Sequence, residues 1–129
     1  MQYICTSDTI RGPAVLKGKR FFDSVTGDCI LIKGIAHCPR PNDGELSLSY
    51  SIDYFTPEFQ DLWEADVEYF KELGINTLRL YGINPSINHD AFMCALREAG
   101  IYVIIGLLAD CQDCGIRPNH KLLLVIRRL

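Results

Sequence analysis

The stretch from Arg79 to Asp90, RLYGINPSINHD, holds the densest set of side chains able to do chemistry. Arg79 and Tyr81 stand two residues apart where an apolar run gives out, so in a strand they share one face. A guanidinium there can hold an anion, and a phenol can hydrogen-bond or pack on a ligand. Beyond the turn, Asn88, His89 and Asp90 offer two readings. They are either acid–base groups or the start of a helix, with Asn88 as cap and Asp90 at the positive end of the dipole. No paired base or metal partner for His89 is in view, which favours the cap.

Six cysteines, Cys5, Cys29, Cys38, Cys94, Cys111 and Cys114, are the next candidates. Cys111 and Cys114 form a CxxC pair, but a structural zinc site usually wants a second pair, and no other CxxC or HxxxH occurs. A redox pair, a loop disulfide and two free thiols all remain open. Asp43, Glu45 and Asp53 have no spacing for acid–base work and read as solvated loop carboxylates.

The elements that must position these groups follow from periodicity. Residues 15–37, VLKGKRFFDSVTGDCILIKGIAH, read as a hairpin around the turn formers DSVTGD. Its second run, CILIKGIA, reads as one buried strand. Residues 38–56 form a long polar loop. Thr56 and Pro57 then open a helix whose Phe59, Leu62, Trp63, Val67, Phe70 and Leu73 make an apolar face, with Gly74 ending it. INTLRLY is a second strand. NHDAFMCALREAG is a second helix stopped by Gly100. IYVIIGLL is a third strand, apolar enough to be covered on both faces.

Strands alternating with helices imply a parallel sheet with right-handed crossovers, either doubly wound or a (β/α)8 barrel. Neither GxGxxG nor GxxxxGK[ST] is present, so the barrel is favoured. The chain's 129 residues fit one domain, against about 250 for a full barrel. Ile32, Leu78 and Ile104 are expected in the barrel interior. A net charge of −3 without a basic run argues against nucleic acid as partner. The longest apolar runs are too short for a membrane span, and residues 1–12 do not read as a signal peptide. No cofactor or metal is implied.

GKRFFDSVTGDCILIKGIAH, DVEYFKELGINTLRLYGINPSINHDAFM and AGIYVI resemble the N-terminal part of the fungal-type β-1,3-glucanosyltransferases, over about residues 18–105. These are glycolipid-anchored surface enzymes of glycoside hydrolase family 72 type. The resemblance implies the start of a (β/α)8 barrel, about three βα units after a β-hairpin, acting on cell-wall β-1,3-glucan at the cell surface. It implies a retaining transglycosylase that holds its donor covalently. Arg79 would keep the nucleophilic glutamate ionised, and Tyr81 would touch the sugar at the cleavage point; the other reading is that Arg79 pairs with a core carboxylate and Tyr81 only packs.

The departures from the family are as informative. The catalytic glutamates lie on later barrel strands, the first within an Asn-Glu pair, and no Asn-Glu dipeptide occurs in these 129 residues. The chain alone is therefore expected to be inactive, a truncated glycosidase-like barrel domain; a non-enzymatic glucan-binding remnant or an unstable gene fragment is the alternative. Residues 115–129 depart from the pattern. His37-Cys38 stands where the family has Tyr-Gln, which makes His37 a candidate substrate contact. Gly106 replaces the aspartate after the third strand. Trp63 and Phe92 occupy the two halves of a family disulfide, which implies an aromatic pair packed between the helices. Tyr50, Tyr54 and Phe55 could stack on sugar or plug the barrel side, the latter being favoured.

Overall fold

A computed structural model describes residues 11–39 and 52–106. Turn formers fold residues 14–30 into an antiparallel meander of β1 (Ala14–Lys17), β2 (Arg20–Asp23) and β3 (Cys29–Ile30). β1 pairs with β2 from Ala14↔Asp23 to Lys17↔Arg20, and β2 meets β3 at Phe21↔Ile30 and Phe22↔Cys29. The reversal between β2 and β3 closes on Asp23, whose carboxylate accepts the backbone N–H groups of Val25 and Thr26. Gly27 sits there at φ 76°, a conformation that suits a residue without Cβ.

The parallel sheet has the order β4 (Gly34–His37), β5 (Thr77–Leu80), β6 (Tyr102–Ile105). Its registers run Gly34↔Thr77 to His37↔Leu80 and Thr77↔Tyr102 to Leu80↔Ile105. The crossovers are α1 (Gln60–Glu72), entered through a 3-10 turn at Pro57–Phe59, and α2 (Asp90–Glu98). Gly74 and Gly100, at φ 62° and 70°, follow the helix ends as the sequence predicts. The described residues thus form a mixed α/β unit of two small sheets, with no closed barrel among them.

The run CILIKGIA is not one strand. Cys29–Ile30 belongs to the meander and Gly34–His37 to the parallel sheet, with Leu31 79% exposed between them. The break is imposed by Asn76, 43 residues beyond Lys33. Its side chain donates to the Leu31 carbonyl at 2.7 Å and accepts from the Lys33 N–H at 2.8 Å. Those bonds take residues 31–33 out of either ladder and aim β4 at the start of β5.

One face of the parallel sheet is covered by the helices. Leu78 and Leu80 are fully buried there against Phe55, Trp63, Phe70, Phe92 and Leu96, with Ile35 and Val103 packed on the cluster. Leu78 therefore faces the helices and not a barrel interior. Ile32 is 52% exposed, outside the strands; only Ile104, 44% exposed, lies on the opposite face. Strand alternation puts Ala36, Arg79 and Ile104 together on that face. The sequence expectation of a third strand covered on both sides fails at Ile104 and Ile105, both exposed. No helix among the described residues is long and apolar enough to cross a membrane.

Candidate functional site

Arg79 lies in β5 and Tyr81 just past its end, on the face away from the helices. The guanidinium carbon sits 4.7 Å from the centroid of the Tyr81 ring. Arg79 is exposed and Tyr81 half-buried, so a cation and a phenol are presented side by side at the C-terminal end of a parallel strand. In parallel α/β architectures this is the end where ligands bind. A cation–ring contact at a surface site is worth only about 0.5–1 kcal/mol. It orients both groups while leaving them free to engage a ligand.

His37 is not brought together with them. It falls on the helix side of β4, where its Nε2 lies 3.1 Å from Asp66 and its ring packs edge-on against Phe70, with centroids 5.0 Å apart. Asp66 was legible in principle. It shares the helical spacing of Trp63, Val67 and Phe70, so a carboxylate on that stripe needed a partner. Cys38, next in sequence, is an exposed free thiol, as is Cys29. Cys94 is buried and disulfide-bonded.

Asp53, expected to be solvated, is instead buried and bonded to the loop that follows Tyr81. It is 9% exposed, and three donors converge on it. Oδ1 accepts the Phe55 N–H at 3.1 Å, and Oδ2 accepts the Asn84 N–H at 2.7 Å. His89 Nε2 stands 2.8 Å from the same Oδ2. The carboxylate can only accept, so Nε2 carries the proton. His89 is thus a structural partner of Asp53. Asn88 is not the cap the sequence suggests: the N-cap of α2 is His89, whose side chain makes no capping bond, and Asn88, one residue before it, closes the approach with its Oδ1 accepting the Asp90 N–H at 2.8 Å.

Tyr54 and Phe55 are buried, the plugging role and not a stacking surface. Tyr54 packs on Phe59 at 5.0 Å, and Phe55 stacks on Phe92 at 4.9 Å with planes 25° apart. Tyr50, Asp43, Glu45, Cys5, Cys111 and Cys114 lie outside the described residues. Among the described residues no three His, Cys, Asp or Glu side chains cluster as metal ligands.

At the opposite end of the sheet, Asp23 ties the meander to β6. The Tyr102 hydroxyl donates to Asp23 Oδ2 at 3.1 Å, and the Gly12 N–H donates to both carboxylate oxygens, at 2.9 and 3.1 Å. The backbone bond from Thr26, joined by those from Val25 and Gly12 and by the Tyr102 hydroxyl, holds the Asp23 carboxyl below its usual range against the opposing effect of burial. Burial, then the bond to Asp23 and its charge, push the Tyr102 phenol up. Fixed charge at the N-terminal ends of parallel strands serves stability.

A family model described as glucanosyltransferase matches residues 4–120, running past the motif-bearing 18–105 at both ends. The 1,3-beta-glucanosyltransferase GAS4 of Saccharomyces cerevisiae is 41% identical over 98 residues, covering 76% of this chain and 20% of the relative. The 1,3-beta-glucanosyltransferase gas4 of Schizosaccharomyces pombe is 45% identical over 95 residues, covering 74% and 19%. The solved structure of Saccharomyces cerevisiae Gas2p in complex with laminaripentaose superposes with a TM-score of 0.62 at 37% identity, covering 74% of this chain and 21% of that one. The chain therefore spans about one fifth of the relatives it matches.

Proposed function

The chain belongs to the glucanosyltransferase family, and we propose that it is the first part of a (β/α)8 barrel whose β-1,3-glucan-binding rim includes Arg79 and Tyr81. The observation that carries this reading is the Arg79 guanidinium laid over the Tyr81 ring at the C-terminal end of β5. A relative of the same fold is solved with laminaripentaose, a short glucan of this class. In the proposed chemistry one carboxylate attacks the anomeric carbon while a second carboxylic acid protonates the departing glucan oxygen. The covalent glycosyl-enzyme then passes its sugar to another glucan hydroxyl, with the second group acting as base. Arg79 would hold the attacking carboxylate ionised, and Tyr81 would bind the sugar beside the bond to be cut. No Asn-Glu pair occurs in these residues, so the carboxylates would come from outside them and the chain alone would bind without transferring. A cell-surface location belongs to the same proposal. His37, held by Asp66 and Phe70, would shape the rim from the helix side.

The test is retention of the full chain on insoluble β-1,3-glucan, with cellulose as control. Arg79→Ala and Tyr81→Ala should each weaken retention about tenfold, equivalent to ~1.4 kcal/mol. Equal retention on both polysaccharides, or variants that bind as the wild type does, would overturn the reading.

A further inference from the structure

We infer that the buried Asp53–His89 pair is a positioning device for the rim, fixing the loop that starts at Tyr81 without touching the ligand itself. The inference rests on the reading of Arg79 and Tyr81 as parts of a glucan-binding rim. Asp53 reaches across 31 residues to the Asn84 N–H and 36 to the His89 ring. It therefore holds the loop between β5 and α2 both near its middle and at its far end. The loop is also closed on itself, Ile87 N–H bonding the Asn84 carbonyl at 3.1 Å and Ser86 N–H the Asn84 side chain at 3.0 Å. Moving Asn84 thus moves residues 84–87 as a unit, and Tyr81 is three residues upstream.

Two other roles fit less well. As a catalytic dyad, the pair is too enclosed: each side chain is only 7% exposed, and Oδ2 already bonds a backbone N–H. As a helix cap, the histidine side chain is superfluous, because it makes no capping bond and the Asp90 N–H is taken by Asn88. What remains is mechanical. Asp53 is anchored on the core side through Phe55, which stacks on Phe92. The pair transmits that fixed point to the loop through two short bonds. A polar pair this enclosed holds its geometry because neither partner has water to turn to.

The experiment combines hydrogen exchange by mass spectrometry on the full chain with retention on β-1,3-glucan. His89→Ala should speed exchange across residues 82–89 about tenfold and weaken retention severalfold, while exchange across 20–30, at the other end of the sheet, stays unchanged. His89→Gln, whose amide can still donate to Asp53, should restore both. Fast exchange with undiminished retention overturns the inference, as does failure of His89→Gln to rescue or equal acceleration at 20–30. Should His89→Ala unfold the chain, Asp53→Asn is read by the same criteria. A wild-type chain that ignores glucan instead overturns the rim reading, and loop exchange alone then decides whether the pair positions the loop.

Discussion

Trp63 of α1 and Phe92 of α2 meet edge to face, ring centroids 5.4 Å apart and planes at 64°. These are the positions where the family resemblance places the two halves of a disulfide. Here the joint between the helices is an aromatic contact, extended by Phe55 stacked on Phe92 and fixed by the Trp63 indole N–H donating to the Thr56 carbonyl at 3.0 Å. Both residues are almost fully buried.

Phe92→Ala is therefore expected to cost about 3–5 kcal/mol, the range for emptying a buried aromatic site. Trp63 is the sole tryptophan, so urea unfolding followed by its emission at sub-micromolar concentration reads the change directly. A cost below about 1 kcal/mol would mean that the helix joint is held by something other than this pair.

Gly34→Ala should break the pairing of β4 with β5. A Cβ on Gly34 would fall 2.5 Å from the Thr77 carbonyl oxygen and 3.0 Å from the Thr77 Cβ, and backbone cannot swing aside as a side-chain tip can. Overpacking of this kind costs about 1–3 kcal/mol. The check is a lower urea midpoint together with faster amide exchange at residues 35–37; a neutral substitution would show that the two strands can separate freely.

What the sequence made legible was local. Gly74 and Gly100 mark helix ends because only the positive φ following a helix needs them there. Leu78 and Leu80 announce a strand by alternation, but alternation does not say which face is covered. The helices, not a barrel interior, took that face, so Leu78 was misplaced while Arg79 and Tyr81 fell on the open side. Nor could a local reading see the interruption at Leu31–Lys33, which Asn76 imposes from 43 residues beyond Lys33, or the burial of Asp53, which depends on His89 36 residues away. Of the candidate site, the strand-end pair was readable from its spacing; the device beneath it depends on long-range contacts.

Ile104 and Ile105, 44% and 41% exposed, crown a β6 that has no outer neighbour among the described residues. An apolar strand with an open ladder edge invites pairing with another copy. The purified chain should therefore self-associate as its concentration rises through the micromolar range. Ile104→Lys, a charge on the open face, should suppress this without disturbing the helix-covered side. Sedimentation velocity at several concentrations decides it, and a wild-type chain that stays monomeric throughout would show that the edge is protected.

The tie between the meander and the parallel sheet should make stability fall at both extremes of pH, through Asp23 and Tyr102. Asp23 titrates below its ordinary value in the folded chain, chiefly because of the Thr26 N–H and the further donors on its carboxylate. A depressed carboxyl contributes stability that is fully present above the unfolded value near 3.9 and is lost as pH drops through the lower folded value. Tyr102 shifts the other way, raised by burial and then by its bond to Asp23. Its contribution is fully present below the ordinary phenol value near 10 and is lost as pH climbs through the raised folded value. The two losses are coupled, because the same 3.1 Å bond needs a protonated phenol and an ionised carboxylate. Urea midpoints measured from pH 2 to 11 should therefore form a plateau with a fall at each end. Asp23→Asn should lower the plateau and blunt the acid fall, since no charge is left there to neutralise. Tyr102→Phe should blunt the alkaline fall while keeping most of the acid one, because Gly12, Val25 and Thr26 still donate to the carboxylate. An acid limb of the same depth in Asp23→Asn would assign that titration to another carboxylate and remove Asp23 as the group that ties the two sheets.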